Sequence, residues 1–207
     1  MFKTHLIAAC ALLAAAFVAP AHATAVALTT DATQAAYGAW NAFNVSDIDA
    51  TDFGTGWIDN ANTNSAGFGS PLTFTFTLSA AQVGTLTVVD AGFAGDTYQI
   101  TNLGSALGMT SSVAPATYPN VTDADAGTDF DAAYANPAFS QSVFTLGAGT
   151  YRISGTLAQS VFAADGSPLN ASVGAVSLTV AAIPEPSTYA MLLAGLGFVG
   201  LLARRRL

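Results

Sequence analysis

The strongest constraint on the fold of this chain is a run in which large apolar residues alternate with threonine. Leu72, Phe74, Phe76 and Leu78 occupy every second position, and threonines fill the positions between them. A period of two places the apolar side chains on one face of a β-strand and the hydroxyl groups on the other face. The segment therefore predicts a strand with one buried face and one polar face.

The same alternation recurs through the middle of the chain. Further short runs that follow it lie at 85–89, 97–101, 143–146, 151–154 and 176–180. Glycine, asparagine, aspartate and proline separate these runs, as is typical of turns. The pattern predicts an all-β domain, an antiparallel β-sandwich with a jelly-roll or Greek-key layout of about seven or eight strands. The only helical pattern between residues 24 and 182 is a weak one at 31–39.

The N-terminal segment, residues 1–23, is typical of a signal peptide. Lys3 precedes an apolar run from Leu6 to Val18, and small residues stand at Ala21 and Ala23. This order predicts a signal helix, export through the Sec machinery, and cleavage by signal peptidase after residue 23. An uncleaved N-terminal helix is the alternative.

The charge of the central domain excludes nucleic-acid binding. Residues 24–182 contain Arg152 as their only basic residue, and all of their acidic residues are aspartates. A protein that binds nucleic acid needs a basic patch for the phosphates, which this domain lacks. A strongly acidic surface is instead typical of an exported protein that meets ions or sugars, or of one that is simply kept soluble by charge.

The residue types of the central domain also argue against catalysis. Residues 24–182 contain no histidine, cysteine, lysine or glutamate. This composition removes the nucleophile systems that need a histidine base, and it removes zinc sites built on imidazole or thiolate. A polysaccharide-active enzyme that uses two aspartates is the remaining catalytic alternative. We therefore predict that the protein is not an enzyme.

An acidic loop at residues 123–131 is the best candidate for a metal site. Asp123, Asp125, Asp129 and Asp131 flank a central glycine, and carboxylate oxygens are the ligands that Ca²⁺ prefers. A solvated acidic loop without a ligand is the simpler interpretation, and no other cofactor is predicted. A second acidic group lies earlier in the chain, at Asp47, Asp49 and Asp52.

Five aromatic residues cluster in sequence before the first predicted strand. They are Trp40, Phe43, Phe53, Trp57 and Phe68. Flat aromatic rings stack on sugar rings, so one interpretation is a carbohydrate-binding face. The other interpretation is that these side chains fill the core of the sandwich, where aromatic residues bury large areas.

The C-terminal segment, residues 183–207, predicts a membrane anchor. Pro184-Glu185-Pro186 forbids both helix and central strand, and an uncharged apolar run follows at 189–203. As a helix this run is about 23 Å long, somewhat short of the ~30 Å hydrocarbon core of a bilayer. We predict a transmembrane helix at about 187–203, oriented by Arg204, Arg205 and Arg206 on the cytoplasmic side.

This tail resembles the PEP-CTERM sorting domain of Gram-negative bacteria that make exopolysaccharide. The order of Pro184-Glu185-Pro186, apolar helix and arginine cluster matches, and Ile183 stands where valine is usual. The resemblance implies recognition by an exosortase, a membrane-embedded processing enzyme. It implies a precursor held briefly in the inner membrane, then removal of the tail and delivery to the cell surface, the outer membrane or the extracellular matrix.

A second, weaker resemblance covers residues 72–100. In a β-rich ectodomain found on such proteins, a strand ends in Asp-Ala and a Gly-Asp turn leads into the next strand, as at Asp90-Ala91 and Gly95-Asp96. No activity is implied by this likeness. The sequence thus predicts a structural or interaction role in the envelope or exopolysaccharide matrix. The alternative is a carbohydrate-binding module, with or without calcium, that docks on exopolysaccharide.

Overall fold

The computed structural model describes residues 23–59, 67–119, 124–184, 191–197 and 204. Within them the chain is mostly β, with one short helix in the central domain. The strands are β1 Thr24–Ala27, β2 Asn41–Ser46, β3 Leu72–Leu78, β4 Gln82–Ala91, β5 Thr97–Asn102, β6 Ser105–Met109, β7 Thr117–Tyr118, β8 Gln141–Leu146, β9 Gly149–Gln159, β10 Phe162–Ala163 and β11 Ala171–Ala182, and the helix is α1 Phe130–Ala135.

Two large sheets form the body of the domain. The five-stranded sheet has the order β1-β3-β9-β5-β6, the four-stranded sheet has the order β2-β11-β4-β8, and β10 and β7 make a separate small pair. The pairing is antiparallel throughout both large sheets except between β1 and β3. That pair is parallel because the chain leaves β1, supplies β2 to the opposite sheet, and then returns to the first sheet in the same direction.

One core lies between the two large sheets. In β3 the four apolar residues of the alternating run are all buried, as the sequence predicts. Both sheets contribute to a single apolar cluster whose members include Leu72, Phe74, Phe76, Tyr98, Ile100 and Ile153 from one sheet and Phe43, Val45, Leu86, Val88, Val176 and Leu178 from the other. The structure is therefore consistent with the predicted β-sandwich. The finer jelly-roll or Greek-key layout stays a prediction.

Two local features differ from the sequence-based predictions: the weak helical pattern at 31–39 forms no helix, and a helix forms where none is predicted. Residues 31–39 form turns rather than a helix, with i to i+3 hydrogen bonds such as that from the amide of Gln34 to the carbonyl of Asp31. The side chain of Asp31 accepts hydrogen bonds from Thr33, which favours a turn over a helix. The described helix of the central domain, α1, instead begins at the end of the predicted acidic loop, so that Asp131 lies in its first turn. Its buried Ala133 packs against β4.

The two terminal predictions fall largely outside the described residues. Of the predicted signal peptide, residues 1–22 are not among them, so neither the signal helix nor its cleavage is tested. In the tail, residues 191–197 are helical and exposed. No helix among the described residues is both long and apolar enough to cross a bilayer. The predicted transmembrane helix at 187–203 is therefore not confirmed.

Candidate functional site

A carboxylate occupies the interior of the sandwich at one end of β4. The inward-facing row of this strand continues from Leu86 and Val88 to Asp90, and all three side chains have no exposed surface. Aspartate is almost never fully buried unless it has a partner, because removing its charge from water is costly. Asp90 is therefore the position where the strand pattern is broken by a polar group.

A tight connection brings a second carboxylate back beside the first. Residues 92–95 link β4 in one sheet to β5 in the other, and Asp96 stands just before β5. Gly95 has a φ of 133°, and a Cβ atom there would lie 2.8 Å from Cβ of Ala116. Glycine is thus required for both conformation and space. Asp90 and Asp96, together called the acid pair below, are the two aspartates of the Asp-Ala and Gly-Asp signature.

Neutral oxygen atoms surround the acid pair. The hydroxyl of Tyr98 donates a hydrogen bond to Oδ1 of Asp90 at 3.1 Å, and it also contacts the hydroxyl of Ser172 on β11. Oδ1 of Asp96 accepts a hydrogen bond of 2.7 Å from the amide of Val161. Oδ2 of Asp90 is buried and has no hydrogen-bond partner among the described residues. The backbone amides of Gly95 and Asp96 also act on the Asp90 carboxylate, so the donors in the cluster are neutral amides and hydroxyls and none of them is cationic.

Burial controls the protonation of all three titratable groups. Burial raises the pKa of Asp90 well above its usual value, and the charge of Asp96 raises it further. Hydrogen bonds from the Tyr98 hydroxyl and from the amides of Asp96 and Gly95 oppose this shift. Burial raises the pKa of Asp96 to about 6, although hydrogen bonds from Ser172 and Val161 oppose the shift. Burial and the two nearby carboxylates also raise the pKa of Tyr98. Such perturbed groups are typical of functional sites.

A cleft of about 430 Å³ opens beside the acid pair, and it is called the cleft below. Its wall includes Asp96 and Ser172 from the buried cluster, together with Asp49 from the loop after β2. Phe93 and Tyr118 also line it, with their rings edge to face at a centroid distance of 5.3 Å. A concave site with aromatic walls, a few convergent polar groups and a perturbed carboxylate has the features of a ligand-binding site.

The predicted calcium loop behaves differently in its described part. Asp123 lies outside the described residues. Oδ1 of Asp125 accepts a hydrogen bond from the amide of Gly127, and Oδ1 of Asp129 accepts one from the amide of Ala132 at the start of α1. Oδ1 of Asp131 accepts one from the indole nitrogen of Trp40 at 2.8 Å. Each of the three carboxylates therefore has a separate local role.

No three acidic, histidine or cysteine side chains come together as a metal-binding group in the described part of the chain. The calcium site at Asp123, Asp125, Asp129 and Asp131 stays a prediction. In the second acidic group, Asp47 accepts a hydrogen bond from the side chain of Asn170, and Asp52 accepts one from the amide of Gly54.

The five clustered aromatic residues do not share one surface. Phe43 and Trp57 are buried in the core and stack with a centroid distance of 3.9 Å. Trp40 is half-buried and its ring contacts those of Phe130 and Tyr134. Of the other two, Phe68 is half-buried and Phe53 is 80% exposed. The core interpretation is thus confirmed for the stacked pair, and a flat sugar-binding face made of all five is not present.

The sorting motif, Pro184-Glu185-Pro186, begins directly where the sandwich ends. Strand β11 finishes at Ala182, and the amide of Ile183 donates the next hydrogen bond to the carbonyl of Ala81 at 2.7 Å. Pro184 follows and is exposed. Glu185, Pro186, Arg205 and Arg206 lie outside the described residues, and Arg204 is exposed. The described start of the motif is therefore accessible to another protein.

Comparison with known protein families finds one match, which lies in this tail. Residues 182–206 match the PEP-CTERM protein-sorting motif. The chain therefore carries a PEP-CTERM sorting signal on a β-rich domain. The signal implies an exported protein that is processed by an exosortase and sorted to the cell envelope. This match covers the tail alone, and it assigns no role to the sandwich.

Comparisons of the whole chain add little to this result. A search of curated proteins finds no match. Among solved structures, the pre-peptidase C-terminal domain of a collagenase from Bacillus anthracis aligns with 77% of this chain and 96% of its own length, at 10% identity and a TM-score of 0.34. A likeness at that score supports no inference about fold or function.

Proposed function

We propose that this protein is a non-catalytic component of the bacterial envelope or exopolysaccharide matrix, where the β-domain has a structural or interaction role. The match of residues 182–206 to the sorting motif carries the proposal. In this account the Sec machinery exports the chain and signal peptidase removes the leader. The tail then holds the precursor in the inner membrane until an exosortase cuts it and the domain passes to the outer surface or matrix.

The position of the motif supports processing of a folded domain. The last described hydrogen bond between the sandwich and the tail is made by Ile183, and Pro184 is already exposed. Proline at this point cannot extend the sheet, because it lacks an amide donor. An enzyme that recognises the motif therefore does not have to unfold β11 to reach Pro184.

Replacing the motif tests this proposal in a host that contains an exosortase. In the triple variant Pro184→Ala, Glu185→Ala and Pro186→Ala, we expect a longer precursor to accumulate in the inner-membrane fraction while the wild-type protein reaches the surface. The wild-type chain in a host without exosortase is the matched control and should give the same precursor. Surface delivery of the triple variant at the wild-type level would contradict the proposal.

The cleft favours a second candidate function, that of a carbohydrate-binding module. Its walls combine the ring of Phe93 with carboxylate and hydroxyl groups, and none of the described residues that line it is basic. This chemistry favours a neutral, hydroxyl-rich ligand and disfavours an anionic one.

A glycan array separates this candidate from the first. Phe93→Ala should abolish a signal given by the wild-type protein, whereas Phe53→Ala, which removes an exposed ring outside the cleft, should preserve it. The absence of any wild-type signal would eliminate the binding module. Release of sugars from exopolysaccharide by the purified protein would instead contradict the non-catalytic role.

A further inference from the structure

The buried oxygen of Asp90 requires a compensating group. Its Oδ2 makes no hydrogen bond of ordinary geometry among the described residues, although the side chain has no exposed surface and the amides of Gly95 and Asp96 approach the carboxylate. Buried polar atoms in native proteins are nearly always satisfied, and an exception points to a bound water or ion. Arg152, the one basic residue between 24 and 182, lines a separate depression with Thr73 and Thr101. No basic side chain of the domain therefore neutralises the acid pair.

The atoms around Asp90 have the chemistry of a hard-cation site. Besides the two carboxylates, the hydroxyls of Ser172 and Tyr98 lie in the cluster, and the carbonyl oxygen of Val173 is 3.5 Å from the Tyr98 hydroxyl. Every one of these atoms is an oxygen, and there is no nitrogen or sulfur ligand. Calcium binds six to eight such oxygens, usually a mixture of carboxylate, carbonyl and water. Oxygen-only ligand sets disfavour zinc and copper.

The cleft provides a route from solvent to this cluster. Asp96 and Ser172 belong both to the cluster and to the wall of the cleft, and Asp49 adds a further carboxylate to the wall. A concave surface lined by one sign of charge concentrates ions of the opposite sign. The cleft also has space for the water molecules that would complete a coordination shell containing only two carboxylates.

We propose that Asp90, Asp96 and Ser172 bind one divalent cation of the calcium class, which enters from the cleft. When both carboxyl groups are ionised, the cation neutralises their two like charges. It also bridges the two sheets, because Asp90 and Ser172 belong to one sheet while Asp96 leads into the other. This site is distinct from the acidic loop at 123–131. The proposal does not depend on the function of the sorting tail.

The test uses the full-length chain after treatment with EDTA and dialysis at pH 7.5. Titration calorimetry with CaCl₂ should give one bound cation per chain. At a calcium concentration about one hundred times the dissociation constant, thermal unfolding should shift upward by about 5–10 °C. MgCl₂ should give a smaller shift, because Mg²⁺ demands stricter octahedral geometry. No calorimetric binding and no shift with either salt would overturn the proposal.

Two variants that each remove one negative charge locate the site. In Asp96→Asn the acceptor for the Val161 amide is kept and one negative charge is lost, so the calcium-induced shift should disappear. In Asp125→Asn the acceptor for the Gly127 amide is kept in the same way, and the shift should remain. A shift that survives in the first variant and vanishes in the second would place the cation in the acidic loop and overturn the assignment.

Ser172→Ala serves as a second, milder variant if Asp96→Asn does not yield folded protein. It removes one neutral ligand from the cluster, so calcium affinity should fall about tenfold while one cation still binds, a loss in the range seen when a single supporting group at a metal site is removed. Unchanged affinity in this variant would count against the proposed ligand set.

Discussion

The hydroxyl of Tyr98 lies 3.1 Å from Oδ1 of Asp90 and donates a hydrogen bond to it across the interior of the sandwich. Tyr98 belongs to the five-stranded sheet and Asp90 to the four-stranded sheet. Neither side chain has exposed surface. The two sheets are therefore joined at this end by a buried polar contact, whereas apolar packing joins them elsewhere.

Removing this hydroxyl should destabilise the domain more than removing an exposed one. Tyr98→Phe leaves Oδ1 of Asp90 without its donor, so we expect the free energy of unfolding to fall by about 1–3 kcal/mol. The matched control is Tyr151→Phe, because the Tyr151 hydroxyl donates to the carbonyl of Gly147 at an exposed site. Urea unfolding measures both variants, and equal losses would contradict the structural role of the buried contact.

The acid pair should make stability fall as the pH rises. Asp96 has a pKa of about 6 in the folded protein against 3.8 for an ordinary aspartate. The folded state therefore binds the proton more tightly. The stabilising contribution of protonated Asp96 is complete below about pH 4 and is lost as the pH rises through about 6. The difference between these two pKa values corresponds to at most about 3 kcal/mol in the free energy of unfolding.

Thermal unfolding in EDTA between pH 4 and pH 8 measures this effect. The titratable groups that act on Asp96 or share its cleft all remain in the variant Asp96→Asn, and they are Asp90, Tyr98, Asp49 and Tyr118. Subtracting the variant's curve from the wild-type curve isolates Asp96. The stability of the wild-type protein minus that of the variant should be constant below about pH 4 and should decline as the pH rises to about 6. A difference that instead grows with pH would contradict the assignment.

The sequence predicted the strands best where the side-chain pattern had a period of two. In β3 and the second half of β11, the alternation alone indicates a strand, because one face packs on the core and the other does not. Strands β1, β2, β6, β7 and β10 were not predicted, because they are short or lie at sheet edges with few large apolar residues. Their conformation depends on pairing with distant strands.

The acid pair was not predicted as a site, although a signal was present in the sequence. Asp90 falls on the inward row that contains Leu86 and Val88, and an aspartate on a buried row marks either strain or function. In the sequence, Asp90 and Asp96 are otherwise marked only by their part in a family likeness. Their proximity depends on the connection through Gly95 between two different sheets, which local pattern does not reveal.

Two glycines on the core faces of the sheets leave space for the stacked rings of Phe43 and Trp57. A Cβ atom on Gly155 would lie 2.6 Å from two atoms of the Trp57 ring, and one on Gly174 would overlap Phe43. Gly155→Ala should therefore lower the free energy of unfolding by about 1–3 kcal/mol through overpacking. Gly147→Ala, where no atom lies within 4 Å, should change it by less than about 0.5 kcal/mol.

Denaturant unfolding of these two variants tests the packing of the rings. A Gly155→Ala protein as stable as its Gly147→Ala control would mean that Trp57 is not held against β9. If the tryptophan fluorescence of the folded Gly155→Ala protein equalled that of the wild-type protein, this too would mean that Trp57 does not pack against β9.

Asp129 should stabilise α1 as its N-terminal cap. Its Oδ1 accepts a hydrogen bond of 3.0 Å from the amide of Ala132. Asp129→Ala should cost about 1 kcal/mol, whereas Asp129→Asn should cost little, because asparagine caps a helix as well as aspartate does. Chemical unfolding in EDTA provides the comparison. If asparagine proved as damaging as alanine, the charge of Asp129 rather than its hydrogen bond to Ala132 would stabilise the helix, and the capping role would be contradicted.

The central claim is that residues 183–207 are a sorting signal removed after export. Intact-mass spectrometry of the protein released from the cell surface tests this most directly, because it fixes both ends of the mature chain in one measurement. We predict a mass that corresponds to an N-terminus at Thr24 and a C-terminus without Arg204, Arg205 and Arg206. A surface protein that still contains the three arginines would contradict the account.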